Sequence, residues 1–143
     1  MRVVVDANVA IDWFIVTPEG ESYSRHLEKL LEQTNINFVV PLHFDVEVGG
    51  QLLKKTKARP DLYSRSWLNA TMGVLDIMPF EITALGMNFD LLGKLSSTYN
   101  LSAYDVPYFH LARTLELPLA TRDRGLIAAC KAWHVPRWMP KTA

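Results

Sequence analysis

The chain opens on Val3-Val4-Val5, an unbroken β-branched run that ends at Asp6. Such a run predicts a strand buried on both faces, as in a parallel sheet. Asn8 to Phe14 then takes helical spacing, and Leu27, Leu30 and Leu31 form the apolar stripe of a helix predicted over Glu21 to Gln33. Asn37 to Val40 reads as a second strand, stopped by Pro41. The helix that follows carries Phe44, Val48, Leu52 and Leu53, and holds Glu47. Behind Pro60 a helix is predicted over Asp61 to Met72. Leu75-Asp76-Ile77-Met78 then reads as a strand within Val74 to Phe80. Thr83 to Tyr99 and Ser102 to Leu115 predict two more helices, and Leu117 to Ala120 a short strand. Arg124 to Trp133 reads as a last helix, and Val135 as the start of a last strand. Strands alternating with helices predict an α/β/α sandwich, with a central, mainly parallel sheet flanked by helices. No repeat, low-complexity tract or linker breaks the pattern, so residues 1–143 are expected to form a single domain.

Composition narrows the function classes. At 143 residues the chain is long enough for a real core, and 49% hydrophobic content excludes a disordered chain. Fifteen basic and 15 acidic residues cancel, so any polyanionic partner must be drawn by a local patch or a metal. One cysteine, Cys130, excludes an internal disulfide and a Cys-rich zinc site, and fits a reducing cytosol. The N-terminal run is too short for a signal peptide core, and no stretch approaches the roughly 18–20 apolar residues of a membrane span. The expectation is a cytoplasmic protein with no membrane partner.

Four acids stand at the ends of predicted elements or inside them: Asp6, Glu47, Asp105 and Asp123. Asp6 follows the first strand, and Thr121 and Asp123 follow the Leu117–Ala120 strand. Ligand sites of open parallel sheets lie beyond those carboxyl ends. If the two strands are neighbours, their acids face one crevice. Carboxylates gathered there repel one another unless a cation neutralises them, and hard oxygens favour Mg²⁺ or Mn²⁺. Such a centre activates water and stabilises charge during phosphodiester cleavage.

Each acid also has a structural reading. Asp6 can cap a helix, Glu47 can be an exposed helix residue, and Asp123 can cap or pair with Arg122 or Arg124. Ser102 to Asp105 matches a capping box with Ser102 as the N-cap. Among the neighbours, His43 is read as a packing or hydrogen-bonding residue, because imidazole suits Mg²⁺ poorly. Asp45 is expected to point away from Glu47, and Asp12 to sit on a solvated face. Lys54, Lys55, Lys57 and Arg59, and Arg122 and Arg124 beside the acids, are either phosphate contacts or solvated helix ends. The four tryptophans are read as core or interface, and Cys130 as a small buried hydrophobe.

Four blocks together carry a resemblance: Val4-Val5-Asp6-Ala7-Asn8-Val9, Pro41 with Glu47-Val48, Leu101-Ser102-Ala103-Tyr104-Asp105, and Leu117-Pro118-Leu119-Ala120-Thr121-Arg122-Asp123-Arg124. In this order they resemble PIN-domain nucleases, above all the compact bacterial and archaeal VapC-type toxins. The likeness runs from residue 3 to about residue 138. It implies a PIN-like fold and a Mg²⁺- or Mn²⁺-dependent endoribonuclease whose acidic site maps onto Asp6, Glu47, Asp105 and Asp123. Asn8 and Thr121 match positions that support the site by hydrogen bonds. Asp6 and Asp105 match metal ligands, with Glu47 and Asp123 direct or water-mediated partners. The resemblance further implies an RNA substrate, a cognate antitoxin and a homodimer. One departure stands out: such toxins commonly carry Asn three residues after Glu47, and here Gly50 takes its place. Either the backbone packs closely there or substrate handling differs.

Three other readings compete. A PIN nuclease could serve RNA maturation or turnover without toxicity, and a non-catalytic RNA-binding scaffold could keep the fold. A phospho-acceptor signalling domain also gathers acids at strand ends. It wants a pair of acids after its first strand and a lysine after a later one; here Asp6 stands alone and Lys131 lies in a predicted helix.

Overall fold

The computed structural model describes residues 1–33 and 35–141. Its centre is a four-stranded sheet of β1 (Arg2–Val5), β2 (Asn37–Val40), β3 (Phe80–Ile82) and β4 (Leu119–Ala120), in the order β3-β2-β1-β4. Every pairing is parallel. Val3, Val4 and Val5 have no exposed surface, and neither do Phe38, Val39 and Val40. The unbroken apolar runs therefore mark strands covered on both faces, as the pattern predicts. Around them lie α1 (Ala7–Asp12), α2 (Pro18–Ser22), α3 (Ser24–Lys29), α4 (Phe44–Ala58), α5 (Arg65–Ile77), α6 (Phe89–Tyr99), α7 (Val106–Leu115) and α8 (Arg124–Ala132). They fall into two packed sets, α1 to α5 and α6 to α8. No helix among the described residues is long and apolar enough to cross a membrane.

The order of the strands places the site. The chain adds β2 and then β3 on one side of β1, and returns to lay β4 on the other. That reversal makes a crevice at the carboxyl ends of β1 and β4. Val5 pairs with Ala120, so the next residues along, Asp6 and Thr121, come level at the mouth of the crevice. The amide of Asp6 donates to the Ala120 carbonyl at 3.0 Å and closes the ladder there. On the far side an aromatic cluster anchors β3: Phe80 lies 5.9 Å from Phe38 and 4.9 Å from Phe44, with Trp13 5.1 Å from Phe38.

Several expected elements change. Leu75 to Ile77 is helix, the end of α5, and the strand begins only at Phe80. Ser64 caps α5 through the Trp67 amide at 3.1 Å, and buried Leu68 and Thr71 fix its inward face. Pro79 disfavours a helical residue before it, so Met78 turns extended (φ −73°, ψ 153°) and the strand starts beyond it. The helix expected over Glu21 to Gln33 breaks at Tyr23 (φ −128°, ψ −68°), whose hydroxyl is recruited elsewhere, and ends as a 3-10 turn at Leu30–Glu32. Residues 83–88 are not helical; α6 starts at Phe89 behind the cap Asn88, which accepts from the Leu91 amide at 2.8 Å. The last strand expected at Val135 reduces to one bridge, Leu119 with Arg137, which covers the outer edge of β4. Asp12 is a correction as well. It is 5% exposed, not solvated.

Candidate active site

Three of the four acids stand at helix N-caps, and their use of the carboxylate separates them. Asp6 precedes α1 and Asp105 precedes α7, yet neither side chain makes a capping bond. Asp123 precedes α8 and does cap, accepting from the Leu126 amide at 2.9 Å. Capping is thus the structural role of Asp123 alone. Only half of the expected Ser102 capping box forms among the described residues: the Ser102 hydroxyl accepts from the Asp105 amide at 3.3 Å, one turn before the helix proper starts at Val106.

Thr121 ties the crevice together. Its hydroxyl donates to Asp6 Oδ2 at 2.9 Å and accepts from the Asp123 amide at 3.0 Å. Glu47, one turn inside α4, is drawn across by α7. The Tyr108 hydroxyl donates to Glu47 Oε2 at 2.9 Å, and His43 Nε2 lies 3.1 Å from the same oxygen. Tyr108 is three residues beyond Asp105 on one helix face, so the bond that holds Glu47 also brings it toward Asp105. Sequence reading missed Tyr108, although that spacing was the available signal.

The loop carrying Thr121 and Asp123 has an anchor of its own. Arg122 donates through Nε and Nη2 to Asp12 at 2.6 and 2.7 Å, and the Ser24 hydroxyl gives Asp12 Oδ2 a third bond at 2.6 Å. This fork is the strong, geometry-fixing kind of ion pair. It engages the guanidinium that the sequence offered as a phosphate contact. Arg124 is exposed beside the acids and pairs with no carboxylate among the described residues. Asn8 lines the same cavity with Asp123 and Arg124, but its side chain makes no hydrogen bond among the described residues. Lys54 and Lys55 lie exposed on α4, roughly 10 Å along the helix from Glu47. Arg59 is engaged with Asp61. Asp45 is exposed and accepts from the Val46 amide, away from the crevice. A Cβ at Gly50 would meet nothing within 4 Å, which removes close packing as the reason for that glycine.

The acids feel one another. Burial, and then the charges of Asp105, Glu47 and Asp123, push the Asp6 carboxyl from 3.8 up to about 7 against the opposing Thr121 bond. Asp105 is also raised, by burial first and then by Asp123 and Glu47. His43 is raised mainly by its hydrogen bond to Glu47. These shifts carry a stability prediction for the metal-free protein. Between the ordinary carboxylate range and about pH 7, folded Asp6 keeps a proton that the unfolded chain has released. Stability then falls as pH rises, by up to about 1.4 kcal/mol per pH unit. Asp105 adds to this slope. So does His43, whose stabilising proton is present at low pH and lost on the way up. His110, lowered by burial, acts the other way. Melting in a chelator is expected to give a higher Tm at pH 5.5 than at pH 8, and a flat profile would show that Asp6 is not held protonated by burial and by its neighbours.

The donor set suits a hard divalent ion in kind. One oxygen each of Asp6, Glu47 and Asp123 takes a protein donor, and the other takes none among the described residues. No described polar side-chain atom is both sealed from solvent and unpaired, so the second Asp6 oxygen opens outward. Yet among the described residues no three His, Cys, Asp or Glu side chains are close enough together to cage an ion. Mg²⁺ does not need a cage, since it is usually held by one or two carboxylates with several waters. The residues therefore fit a hydrated divalent ion and not a fully protein-ligated one.

Comparison with solved structures finds the same fold. PAE2754 from Pyrobaculum aerophilum superposes with a TM-score of 0.62 at 21% identity, covering 90% of this chain and 84% of that one. VapBC2 from Rickettsia felis, bound to a DNA fragment from their promoter, gives 0.60 at 12% identity over 97% of this chain and 96% of that one. FitAcB from Neisseria gonorrhoeae gives 0.53 at 17% identity over 98% of each chain. Comparison with curated proteins gives no significant match. The sequence profile of the PIN domain matches residues 3–132, which contain all four acids, and the chain belongs to the PIN domain family.

Proposed function

We propose that this PIN domain is a Mg²⁺- or Mn²⁺-dependent endoribonuclease, acting as one domain and as the toxin of a toxin–antitoxin pair. The observation that carries the reading is the set of four carboxylates at the β1/β4 crevice, where burial first, and then the charges of Asp105, Glu47 and Asp123, raise Asp6 to about 7. Asp6 and Asp105 would hold the ion, with Glu47 and Asp123 as direct or water-mediated partners. Once bound, the ion supplies Lewis acidity and an activated water for attack on the phosphodiester. The chain's own residues set the stage. Thr121 fixes the Asp6 carboxylate, Tyr108 and His43 fix Glu47, and Asp12 with Arg122 fixes the loop of Asp123. Arg124, exposed in the same cavity as Asp123, would meet a phosphate there.

The toxin role rests on the likeness of the four sequence blocks to VapC-type toxins and on the fold shared with VapBC2. A cognate antitoxin and a homodimer belong to the same reading. Purified protein is expected to cleave RNA in Mg²⁺ or Mn²⁺ and to stop when the ion is chelated. Expression is expected to arrest growth unless the antitoxin is co-expressed. A chain that cleaves no RNA in either metal, across varied RNAs, overturns the proposal; cleavage without growth arrest leaves a nuclease of RNA maturation or turnover.

Tyr108→Phe offers a finer check. Its ring is fully buried and would stay so, and loss of one hydrogen bond costs about 1 kcal/mol of stability. Glu47 then keeps only His43. The metal concentration for half-maximal cleavage is expected to rise roughly tenfold, with the maximal rate nearly restored at saturating metal. An unchanged metal requirement would show that Glu47 takes no part in holding the ion.

A further inference from the structure

On the other side of Arg122 from the acids lies an open trough of about 680 Å³, walled by Tyr23, His26, Arg122, Arg137 and Lys141, with Glu19 at its rim. Arg137 is the group that gives it meaning. Its Nε donates to the Thr121 carbonyl at 3.0 Å, and its guanidinium lies 4.5 Å from the centre of the Tyr23 ring. Tyr23 is itself fixed, donating to the Trp138 carbonyl at 2.6 Å and accepting from the Thr121 amide at 3.1 Å. So Arg137 is held from two sides, yet no carboxylate among the described residues pairs with it. Arg122 differs, being neutralised by Asp12. A guanidinium held in this way, with, among the described residues, no carboxylate partner and its Nη1 engaged only by Met139 Sδ at 3.3 Å, is suited to receive an anion.

Arg122 also lines the cavity shared by Asn8, Asp123 and Arg124, so the trough and that cavity meet at Arg122, with Asp123 the member of the acid set that borders it. A strand that meets Asp123 and Arg124 and continues past Arg122 would therefore enter the trough. We infer that the trough binds backbone phosphate of single-stranded RNA flanking the scissile bond, with Arg137 and Lys141 as its phosphate donors. This subsite rests on the ribonuclease reading above. It contacts phosphate only, so it sets affinity and register without reading bases.

The test is RNA binding measured by fluorescence anisotropy across a salt series, in an Asp6→Asn background so that the strand is not cut. For a single strand, each phosphate that the protein ceases to neutralise lowers the slope of log K against log salt by about 0.7. Arg137→Gln is expected to weaken binding roughly tenfold and to lower the slope by about that amount. Because Arg137 also holds the Thr121 carbonyl, Lys141→Gln serves as the second variant. Its exposed side chain makes no bond among the described residues, and the slope is expected to fall without a change in Tm. Lys94→Gln on α6, which lines neither cavity, is expected to change nothing. In the cutting-competent background, Lys141→Gln should raise KM and leave kcat unchanged. Unaltered slopes in both trough variants, with the parent still binding RNA, overturn the subsite and leave the nuclease standing. A parent that neither binds nor cuts RNA overturns both.

Discussion

Asp6→Asn is expected to move activity and stability in opposite directions. On the proposed reading cleavage should fall at least about a thousandfold, because Asp6 would offer the ion its deepest carboxylate and a metal centre contributes several kcal/mol to phosphodiester cleavage. Metal-free protein at pH 8 should become more stable. The side chain is 2% exposed, and burial with three neighbouring acids holds its carboxyl near 7. An ionised Asp6 at pH 8 therefore costs on the order of 2–4 kcal/mol relative to the unfolded chain. Asparagine keeps the shape and can still accept the Thr121 hydroxyl bond, without the charge. The gain should appear as a Tm roughly 5–10 °C higher in a chelator at pH 8, and should fade near pH 5 where Asp6 is protonated. Added Mg²⁺ should narrow the gap, since it stabilises only the parent. Thermal melts at the two pH values, beside an RNA cleavage assay, decide it. A variant that melts lower at pH 8 would mean that the ionised Asp6 is not penalised by its burial and its acidic neighbours.

Arg122→Met is expected to have the largest destabilising effect of any single change at the crevice. The bidentate pair with Asp12 bridges α1 to the loop after β4, and the Asp12 side chain is only 6% exposed. Removing the arginine leaves that carboxylate buried with Ser24 still donating to it. Stranding a buried charge costs about 3 kcal/mol, or roughly 10 °C in Tm for a chain of this length. Cleavage should fall too, through the displaced Thr121 and Asp123. Replacing both partners, Asp12→Leu with Arg122→Met, should recover most of the stability and little of the activity. If the single variant keeps its Tm and only loses RNA affinity, Arg122 acts on the substrate and the anchoring role is wrong.

The two roles of Arg122 show what a sequence can and cannot disclose. The strand-end placement of Asp6 and Asp123 was legible because short apolar runs and their polar stops, Val3-Val4-Val5 before Asp6 and Leu117-Pro118-Leu119-Ala120 before Thr121, are local signals, and β1 and β4 do prove to be neighbours. Glu47 and Asp105 were legible only through the resemblance, since Glu47 on a helix is ordinary. Asp12 was misread as solvated. Its partner is 110 residues away, and only folding brings the two together. A signal existed, for Ile11-Asp12-Trp13-Phe14 sets an acid amid apolar residues, where it needs a partner to be buried. The strand placed at Leu75 to Met78 failed for a different reason. Short apolar runs do not distinguish a strand from the last turn of a helix, and Pro79 was the better boundary. Gly50 was read as a sign of close packing or altered substrate handling and stands beside open space, so its meaning lies with the substrate or with no constraint at all.

The reversed strand order bears on when the crevice comes into being during synthesis. β1 is made first, but its partner β4 lies at Leu119–Ala120, and both Thr121 and Asp123 come after that. Helices α1 to α5 and strands β1 to β3 all lie before residue 83, and Asp6 and Glu47 with them, but the Tyr108 bond that holds Glu47 comes only with α7. Asp105 arrives later with α7, and the Thr121 bond to Asp6 later still. Translation at roughly 5–20 residues per second leaves a nascent chain several seconds without its fourth acid. A chain still threading the ribosome therefore carries an incomplete crevice close to the RNA of the machine that makes it.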